Sequence, residues 1–206
     1  TAPLPELAEL CRRTGAWLVV DDAHGIGVMG NGKGTAAHFG VADAVNLTIG
    51  TFSKAFASLG GFAAGDESVI HYLKHHARSL IFSAAMPPAN AAAALAALEI
   101  IAAEPERIAA VHRHADFLRR ELSALGFTIG TGISPIVPVI IGDRKTTVAA
   151  ARFLLDAGIM VYPVIAPAVP ARRCLLRVCA MATHTPAHLD RIVAAFAAFA
   201  RGNALT

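Results

Sequence analysis

The stretch WLVVDDAH, residues 17–24, decides the fold class of this chain. Four apolar residues lead directly into two carboxylates and, one residue later, a histidine. An unbroken apolar run of this length is typical of a strand buried on both faces of a parallel sheet. A second run, AVNLTIG at residues 44–50, leads in the same way into TFSK at residues 51–54. Because ligands of open α/β sheets bind at the carboxyl ends of the strands, we expect both polar tips to face one pocket.

The rest of the chain alternates helix-like and strand-like segments, with prolines at several helix beginnings and glycines at several helix ends. This alternation predicts an α/β fold, with a mainly parallel sheet and helices in residues 1–105 and a small α/β domain of three or four strands and two helices in residues 106–206. The predicted helices are residues 6–14, 66–77, 88–103, 105–125, 146–156 and 186–201, and the further strands are residues 60–65, 127–129, 136–141, 160–165 and 174–181, with residues 80–82 extended.

Composition excludes several classes of protein. The chain has 206 residues, of which 55% are hydrophobic and 16% charged, so it can bury a sizeable core. The basic residues are scattered and form no stripe interleaved with aromatic residues, which argues against a nucleic-acid partner. No apolar stretch approaches the roughly 20 residues of a spanning helix, and no signal peptide is visible, so we expect no membrane span and a cytoplasmic location.

Cysteine usage points away from a disulfide framework or a metal site. Cys11, Cys174 and Cys179 form no Cys-x-x-Cys pair, and their number is odd. We therefore expect free thiols in a reducing compartment and no bound metal.

Two glycine patterns follow the first strand. Residues 25–30 (GIGVMG) match the dinucleotide-binding pattern G-x-G-x-x-G, and residues 27–33 match the phosphate-loop pattern G-x-x-x-x-G-K. The first pattern requires a helix at the glycines, whereas the residues that follow are Asn31-Gly32-Lys33-Gly34. The second pattern requires a hydroxyl residue at position 34, where this chain has glycine. We therefore interpret the segment as a close-approach loop.

The polar residues at the two strand tips suit pyridoxal 5′-phosphate (PLP). This cofactor requires a lysine for an imine with its aldehyde, a carboxylate on its pyridinium nitrogen and donors for its phosphate. Lys54 can supply the amine, Asp21 the carboxylate, and Thr51 and Ser53 the phosphate donors, while His24 can hydrogen-bond near the phenolic oxygen or the substrate. Each residue alone would more often be a solvated strand end or a turn residue; their joint occurrence favours the cofactor site.

At these residues the chain resembles the α-oxoamine synthases, which are fold-type I PLP-dependent transferases. The family pattern D-[DE]-[AS]-H matches residues 21–24, and G-T-[FL]-[SG]-K matches residues 50–54. The pattern F-[ST]-x-x-[LM]-P-P matches residues 82–88, and a late Leu-Arg segment matches residues 175–177. The resemblance runs from about residue 3 to residue 199, and family members are about twice this length. It therefore implies that the chain is the C-terminal part of such an enzyme, with part of the PLP-binding large domain followed by the small domain.

The resemblance implies a role for each matching residue in the first domain. Lys54 would carry the cofactor and move protons at the substrate α-carbon. Asp21 would pair with the pyridine nitrogen, and His24 would contact the phenolic-oxygen side of the ring. Thr51 and Ser53 would hold the phosphate of their own subunit.

Two further residues gain roles only from the resemblance. Ser83 would reach the phosphate bound by the neighbouring subunit, which implies a homodimer with a shared active site. Arg177 would grip the carboxylate of the amino-acid substrate through two parallel hydrogen bonds, although an arginine on a strand can also be a surface ion-pair partner.

The implied reaction is a decarboxylative condensation of an amino acid with an acyl-CoA or acyl-carrier thioester. Asp-Ala-His-Gly and Met-Pro-Pro favour an 8-amino-7-oxononanoate synthase, which uses L-alanine and a pimeloyl thioester in biotin biosynthesis. Leu-Leu-Arg and Thr183-His184-Thr185 are similar to serine palmitoyltransferase, and glycine C-acetyltransferase is a further alternative. A fold-type I aminotransferase and an inactive module are more distant alternatives. Because the N-terminal half of family members supplies a ring-stacking histidine and a phosphate contact, we expect this chain alone to be inactive.

Overall fold

A computed structural model describes residues 1–203 of the chain. The chain divides into two compact units, residues 2–108 and residues 109 onward. The division lies within a long helix, α6 (Pro105–Ala124). The division into two domains expected between residues 105 and 106 stays a prediction.

The sheet of the first unit has three strands in the order β1-β2-β3. They are β1 (Val19–Asp21), β2 (Leu47–Thr51) and β3 (Gly61–Gly65). β1 and β2 are parallel, with Asp21 beside Ile49, and β3 is antiparallel to β2. The prediction of adjacent parallel strands that end in the two polar motifs is confirmed.

The first unit has five α-helices before the division, placed along the chain before, between and after the three strands. α1 (Leu4–Thr14) precedes β1 and ends at Gly15, whose φ of 68° is left-handed, and the short α2 (Thr35–His38) lies between β1 and β2. The helices after β3 are α3 (Glu67–His76), α4 (Arg78–Ile81) and α5 (Pro88–Ala103).

The expectation of an extended segment at residues 80–82 is wrong. Leu80 and Ile81 belong to α4, and the N–H of Phe82 donates to the carbonyl of Arg78 at 3.0 Å. A three-residue apolar run has no periodicity that could separate strand from helix, so the sequence could not decide this segment.

The first unit has a small core on one side of its sheet. Leu4 and Ala8 of α1 pack with Leu18 and with Val20 of β1, and all four are buried. The neighbouring Val19 points to the other face of the strand and is 50% exposed. One face of this sheet is therefore packed and the other is open within the unit.

The second unit is built on a four-stranded antiparallel sheet in the order β4-β5-β7-β6. Its strands are β4 (Thr128–Ile129), β5 (Ile136–Gly142), β6 (Tyr162–Val164) and β7 (Cys174–Cys179). Two helices follow strands of this sheet, α7 (Arg144–Asp156) after β5 and α8 (Pro186–Asn203) after β7. The predicted strands and helices of the small α/β domain are present, and the count of four strands lies within the expected range.

The core of the second unit is continuous. Inward-facing residues of β5 and β7 alternate with half-buried ones, as expected for a sheet packed on one face. They pack against the helices of this unit, and Leu118, Leu154 and Phe196 are fully buried. Within residues 1–203, no helix has both the length and the apolar composition needed to cross a bilayer.

Candidate active site

The tip of β1 carries two carboxylates that point in opposite directions. Successive residues of a strand face opposite sides of the sheet. Asp21 accordingly shares the exposed face with Val19, whereas Asp22 shares the packed face with Val20 and is buried. One carboxylate oxygen of Asp21 accepts a hydrogen bond from the N–H of Ala23 at 3.1 Å. Asp21 is therefore the acid that remains open to a ligand.

The tip of β2 carries two hydroxyl groups in contact with each other. The Oγ atoms of Thr51 and Ser53 lie 2.8 Å apart, and the N–H of Ser53 donates to Oγ1 of Thr51 at 3.2 Å. Thr51 also donates to the carbonyl of Gly60 at 3.2 Å. Two hydroxyls and a backbone amide thus converge at one point, which is a donor set suited to a phosphate.

Lys54 lies in the loop between β2 and β3, whose backbone is held by aromatic packing and a hydrogen bond. The ring of Phe52 packs against Phe56 and Phe62, with centroid distances of 5.3 and 5.6 Å. Phe56 is buried, while Lys54 is exposed and takes part in none of the ion pairs among residues 1–203. Ala57, which donates to the carbonyl of Lys54 at 3.0 Å, has a left-handed φ of 48°. The backbone is therefore fixed while the amine remains available.

The loops that follow the two strands touch each other. A Cβ atom added to Gly27 would lie only 2.6 Å from Cβ of Ala55, the residue after Lys54. Gly27 also has a left-handed φ of 83°, so both space and backbone conformation require glycine. The structure thus brings together the loops that carry the predicted residues of the first unit.

His24 lies in the turn after β1 and is exposed. The glycine segment that follows forms turns and one short 3₁₀ turn (Gly30–Gly32), in which Asn31 has a left-handed φ of 55°, and the α-helix α2 begins only at Thr35. A dinucleotide site would need the helix to begin within residues 25–30, so this segment supports the interpretation as a close-approach loop.

Ser83 lies two residues after the end of α4 and is exposed. Its hydroxyl donates to the carbonyl of Ser79 within the same chain. Its expected contact with a phosphate of a neighbouring subunit stays a prediction.

Arg177 lies in β7 of the second unit, between Pro138 of β5 and Tyr162 of β6. Its guanidinium carbon lies 5.4 Å from the centroid of the Tyr162 ring. Its Nε atom is buried without an acceptor, and none of the ion pairs among the described residues involves Arg177. The planar guanidinium can bind a carboxylate through two parallel hydrogen bonds, and the alternative of a surface ion pair has no support within residues 1–203.

Three histidines lie together beyond the end of β7. Nδ1 of His114 in α6 donates to the carbonyl of Met181 at 2.9 Å, and the rings of His114 and His188 lie 6.5 and 6.1 Å from the ring of His184. Burial lowers the pKa of His184 below its ordinary value, and the charges of His114 and His188 lower it further. No three His, Cys, Asp or Glu side chains of residues 1–203 are arranged to hold a metal ion.

Two residues of the site were not singled out by the sequence. The buried Asp22 accepts hydrogen bonds from both the N–H and the hydroxyl of Thr35. The strand alternation at residues 19–22 could have indicated that Asp22 is buried, but nothing local to the sequence pairs it with a residue thirteen positions later.

Comparisons with known proteins identify the family of this chain. Residues 1–196 match the family model of aminotransferase class I and II. The serine palmitoyltransferase of Sphingobacterium spiritivorum is 47% identical over 92% of this chain and 48% of its own length. The 8-amino-7-oxononanoate synthase of Symbiobacterium thermophilum is 40% identical over 97% of this chain and 51% of its own length.

A solved structure gives the same result for the fold. A serine palmitoyltransferase described with a PLP internal aldimine superposes with a TM-score of 0.94 at 32% identity, over 100% of this chain and 52% of its own. This confirms the fold-type I assignment. The chain spans about half the length of the relatives it matches. On its sequence motifs, its relatives and its fold, the chain belongs to the aminotransferase class I and II family and, within it, to the α-oxoamine synthases.

Proposed function

We propose that this chain binds PLP through Lys54 and is part of an acyltransferase that condenses an amino acid with an acyl thioester. The observation that carries the proposal is the contact between the loops after two adjacent parallel strands, one bearing Asp21 and the other Lys54. Membership of the α-oxoamine synthases supports it. An acid and an amine on neighbouring strand tips are the minimum that the cofactor requires.

The residues present fit the chemistry of the cofactor. Lys54 is exposed and outside the ion pairs of the described residues, so its amine is available for the aldehyde. Asp21 keeps most of its acceptor capacity for a protonated ring nitrogen. The hydroxyls of Thr51 and Ser53, which now bond to each other, can turn to a phosphate.

When bound, PLP supplies an electron-withdrawing ring that stabilises negative charge at the substrate α-carbon. The protein residues supply position and proton transfer. Asp21 keeps the ring nitrogen protonated, Lys54 takes and returns the proton at the α-carbon, and His24 hydrogen-bonds at the phenolic-oxygen side. Arg177 orients the substrate by its carboxylate, for which the fixed fork of guanidinium N–H groups is suited.

The amino acid that we propose first is L-serine, with a long-chain acyl thioester. The four serine palmitoyltransferases compared are 40–47% identical to this chain, three of them at 44% or more, against 40–42% for the four 8-amino-7-oxononanoate synthases. The motif-based preference for L-alanine and a pimeloyl thioester, and with it biotin biosynthesis, is kept as the second candidate. Glycine is the third amino acid to test.

We propose that the active enzyme is a homodimer in the cytoplasm, with Ser83 of each subunit serving the phosphate site of the other. The exposure of Ser83 permits this role. We also propose that residues 1–206 alone do not turn over, because relatives are about twice as long.

The proposal is tested by trapping the cofactor on the protein in its natural length. We expect borohydride reduction in the presence of PLP to add a pyridoxyl group to Lys54, located by peptide mass spectrometry. The Lys54→Ala variant should lose the modification, and its turnover should fall about 10²- to 10⁴-fold, the range of positioned proton transfer. Lys74→Ala, which removes an equally exposed lysine from α3, is the matched control. Modification elsewhere, or none, would overturn the proposal.

The amino acid is identified with the same protein. Serine, alanine and glycine are added separately, and the change in absorbance of bound PLP gives an affinity for each. We expect serine to bind most tightly, followed by formation of CoA and carbon dioxide when a long-chain acyl-CoA is added. Accumulation of pyridoxamine phosphate would instead indicate an aminotransferase.

A further inference from the structure

The second carboxylate of the strand tip, Asp22, has a hydrogen-bonding arrangement that the proposed chemistry does not use. It is only 6% exposed. Its Oδ2 accepts from the N–H of Thr35 at 2.6 Å, and its Oδ1 accepts from the Thr35 hydroxyl at 2.5 Å. None of the ion pairs among residues 1–203 involves Asp22. One residue, Thr35, thus satisfies both oxygens of a buried acid.

The backbone closes around this carboxylate from two sides. A Cβ added to Gly25 would lie 2.1 Å from Oδ1 of Asp22, and one added to Gly34 would lie 2.3 Å from Oδ2. The carbonyl of Asp22 also accepts from the N–H groups of Gly25 and Ile26, at 2.9 and 3.0 Å. Both ends of the loop of residues 22–35 are therefore fastened to Asp22.

The loop of residues 22–35 contacts strand β2 at one point and the loop after β2 at another. At its start, the N–H of Asp22 donates to the carbonyl of Ile49 at 2.8 Å, which continues the pairing of β1 with β2 beyond Asp21. In its middle, Gly27 lies against Ala55, next to Lys54. A displacement of the loop would therefore move the acid and the amine relative to each other.

We propose that Asp22 is a positioning residue, which fastens the loop of residues 22–35 through Thr35 and thereby sets the separation of Asp21 and Lys54. This inference rests on the proposed function, because the separation matters only if one ring lies between these two groups. Asp22 itself is buried on the packed side of the sheet, opposite to the exposed Asp21, so it is not placed to contact a ring bound at Asp21.

The test uses the natural-length protein with three variants, Asp22→Ala, Asp22→Asn and Thr35→Val. Alanine removes both acceptors. Asparagine keeps both bonds, since its oxygen can accept the Thr35 N–H and its amide can donate to the Thr35 hydroxyl, which accepts as well as donates. Valine at position 35 removes one bond and preserves the shape. Leu4→Ala, at a buried site on α1 in the same unit, is the control for lost stability alone.

We expect Asp22→Ala to lower kcat about 100-fold, the cost of a misplacement of about 1 Å, and to shift the pH midpoint of the absorbance of bound PLP. Asp22→Asn should restore both, and Thr35→Val should lie between them. Without PLP, hydrogen–deuterium exchange should rise in Asp22→Ala over residues 23–35 and also over residues 52–58.

The inference is overturned if Asp22→Ala matches Leu4→Ala in kcat, pH midpoint and exchange, or if exchange rises in residues 23–35 alone. If Asp22→Ala does not fold, Thr35→Val decides, and wild-type values for that variant count against the proposal. Failure of the wild-type protein to bind PLP at Lys54 is a separate result, which rejects the proposed function; the exchange experiment still reports whether the two loops are coupled.

Discussion

The two compact units of this chain differ in how completely each buries its own apolar side chains. In the second unit, 18 buried residues from the sheet and three helices form one cluster. In the first unit, the cluster beside β1 consists of four buried residues, and α5, in which Asn90 and Glu99 are the only polar residues, buries only Ala94. On the open face of its sheet, Val19 and Ile49 are 50% and 40% exposed.

The unit with the larger buried core is therefore not the unit that carries most of the proposed site. The second unit has the packing of an independent fold and carries one predicted substrate contact, Arg177. The first unit carries the groups proposed to bind PLP on a framework that leaves many apolar side chains exposed. Exposed apolar surface beyond scattered residues is typical of an interaction site, so we expect the first unit to depend more on contacts made outside the described residues.

The largest expected effect compares the same substitution in the two units. Phe196 is fully buried in the second unit, whereas Phe82 of the first unit is 83% exposed. Phe196→Ala should lower the free energy of unfolding by about 3–5 kcal/mol, because it removes a large ring from a closed core. Phe82→Ala should change it by less than about 0.5 kcal/mol. Urea denaturation of residues 1–206, without the contacts that a longer protein would add, measures both.

An equal cost for the two phenylalanines would break the comparison. It would mean that Phe82 is covered by a surface other than residues 1–203.

The next prediction distinguishes substrate binding, proposed for the second unit, from PLP binding, proposed for the first. Arg177→Lys should raise the KM for the amino acid about 10- to 100-fold, because a lysine cannot replace the paired hydrogen bonds of a guanidinium with a carboxylate. Trapping of PLP on Lys54 should be unchanged, since that residue belongs to the other unit. Arg172→Lys, an exposed arginine before β7, is the matched control. A loss of PLP binding in Arg177→Lys would show that the two roles are not separable.

The smallest expected effect is a pH-dependent contribution to the stability of the second unit. The N–H of Thr146 donates to the carboxylate of Asp143, the N-cap of α7, at 3.0 Å and lowers the pKa of Asp143 below 3.8. Because the pKa is lower in the folded state, this contribution is fully present above pH 3.8 and is lost as the pH falls below it. Asp143→Ala should lower Tm at pH 7, and the difference from wild type should shrink below pH 4.

Asp143→Asn is the control, because asparagine caps a helix about as well but does not titrate. We expect it to keep most of the stability at pH 7 and to show a flatter dependence of Tm on pH. The same acid dependence in Asp143→Asn and in wild type would assign the effect to other groups.

Helices and strands with long sequence patterns were predicted more accurately than those with short ones. Helices α5 and α8 and strands β5 and β7 were predicted to within a few residues, because long periodic or apolar runs permit one structure. The structure of residues 80–82 was not predicted correctly, since a run of three apolar residues fits a helix as well as a strand.

The sequence by itself determined the chemistry of the candidate site and its place at the ends of two parallel strands. It could do so because a lysine, an acid and hydroxyls after buried apolar runs are local features. Only the tertiary structure decided that Thr35 satisfies both carboxylate oxygens of Asp22 and that Gly27 lies against Ala55. These are contacts between residues far apart in the chain, and they depend on loop conformations and packing that no local pattern specifies.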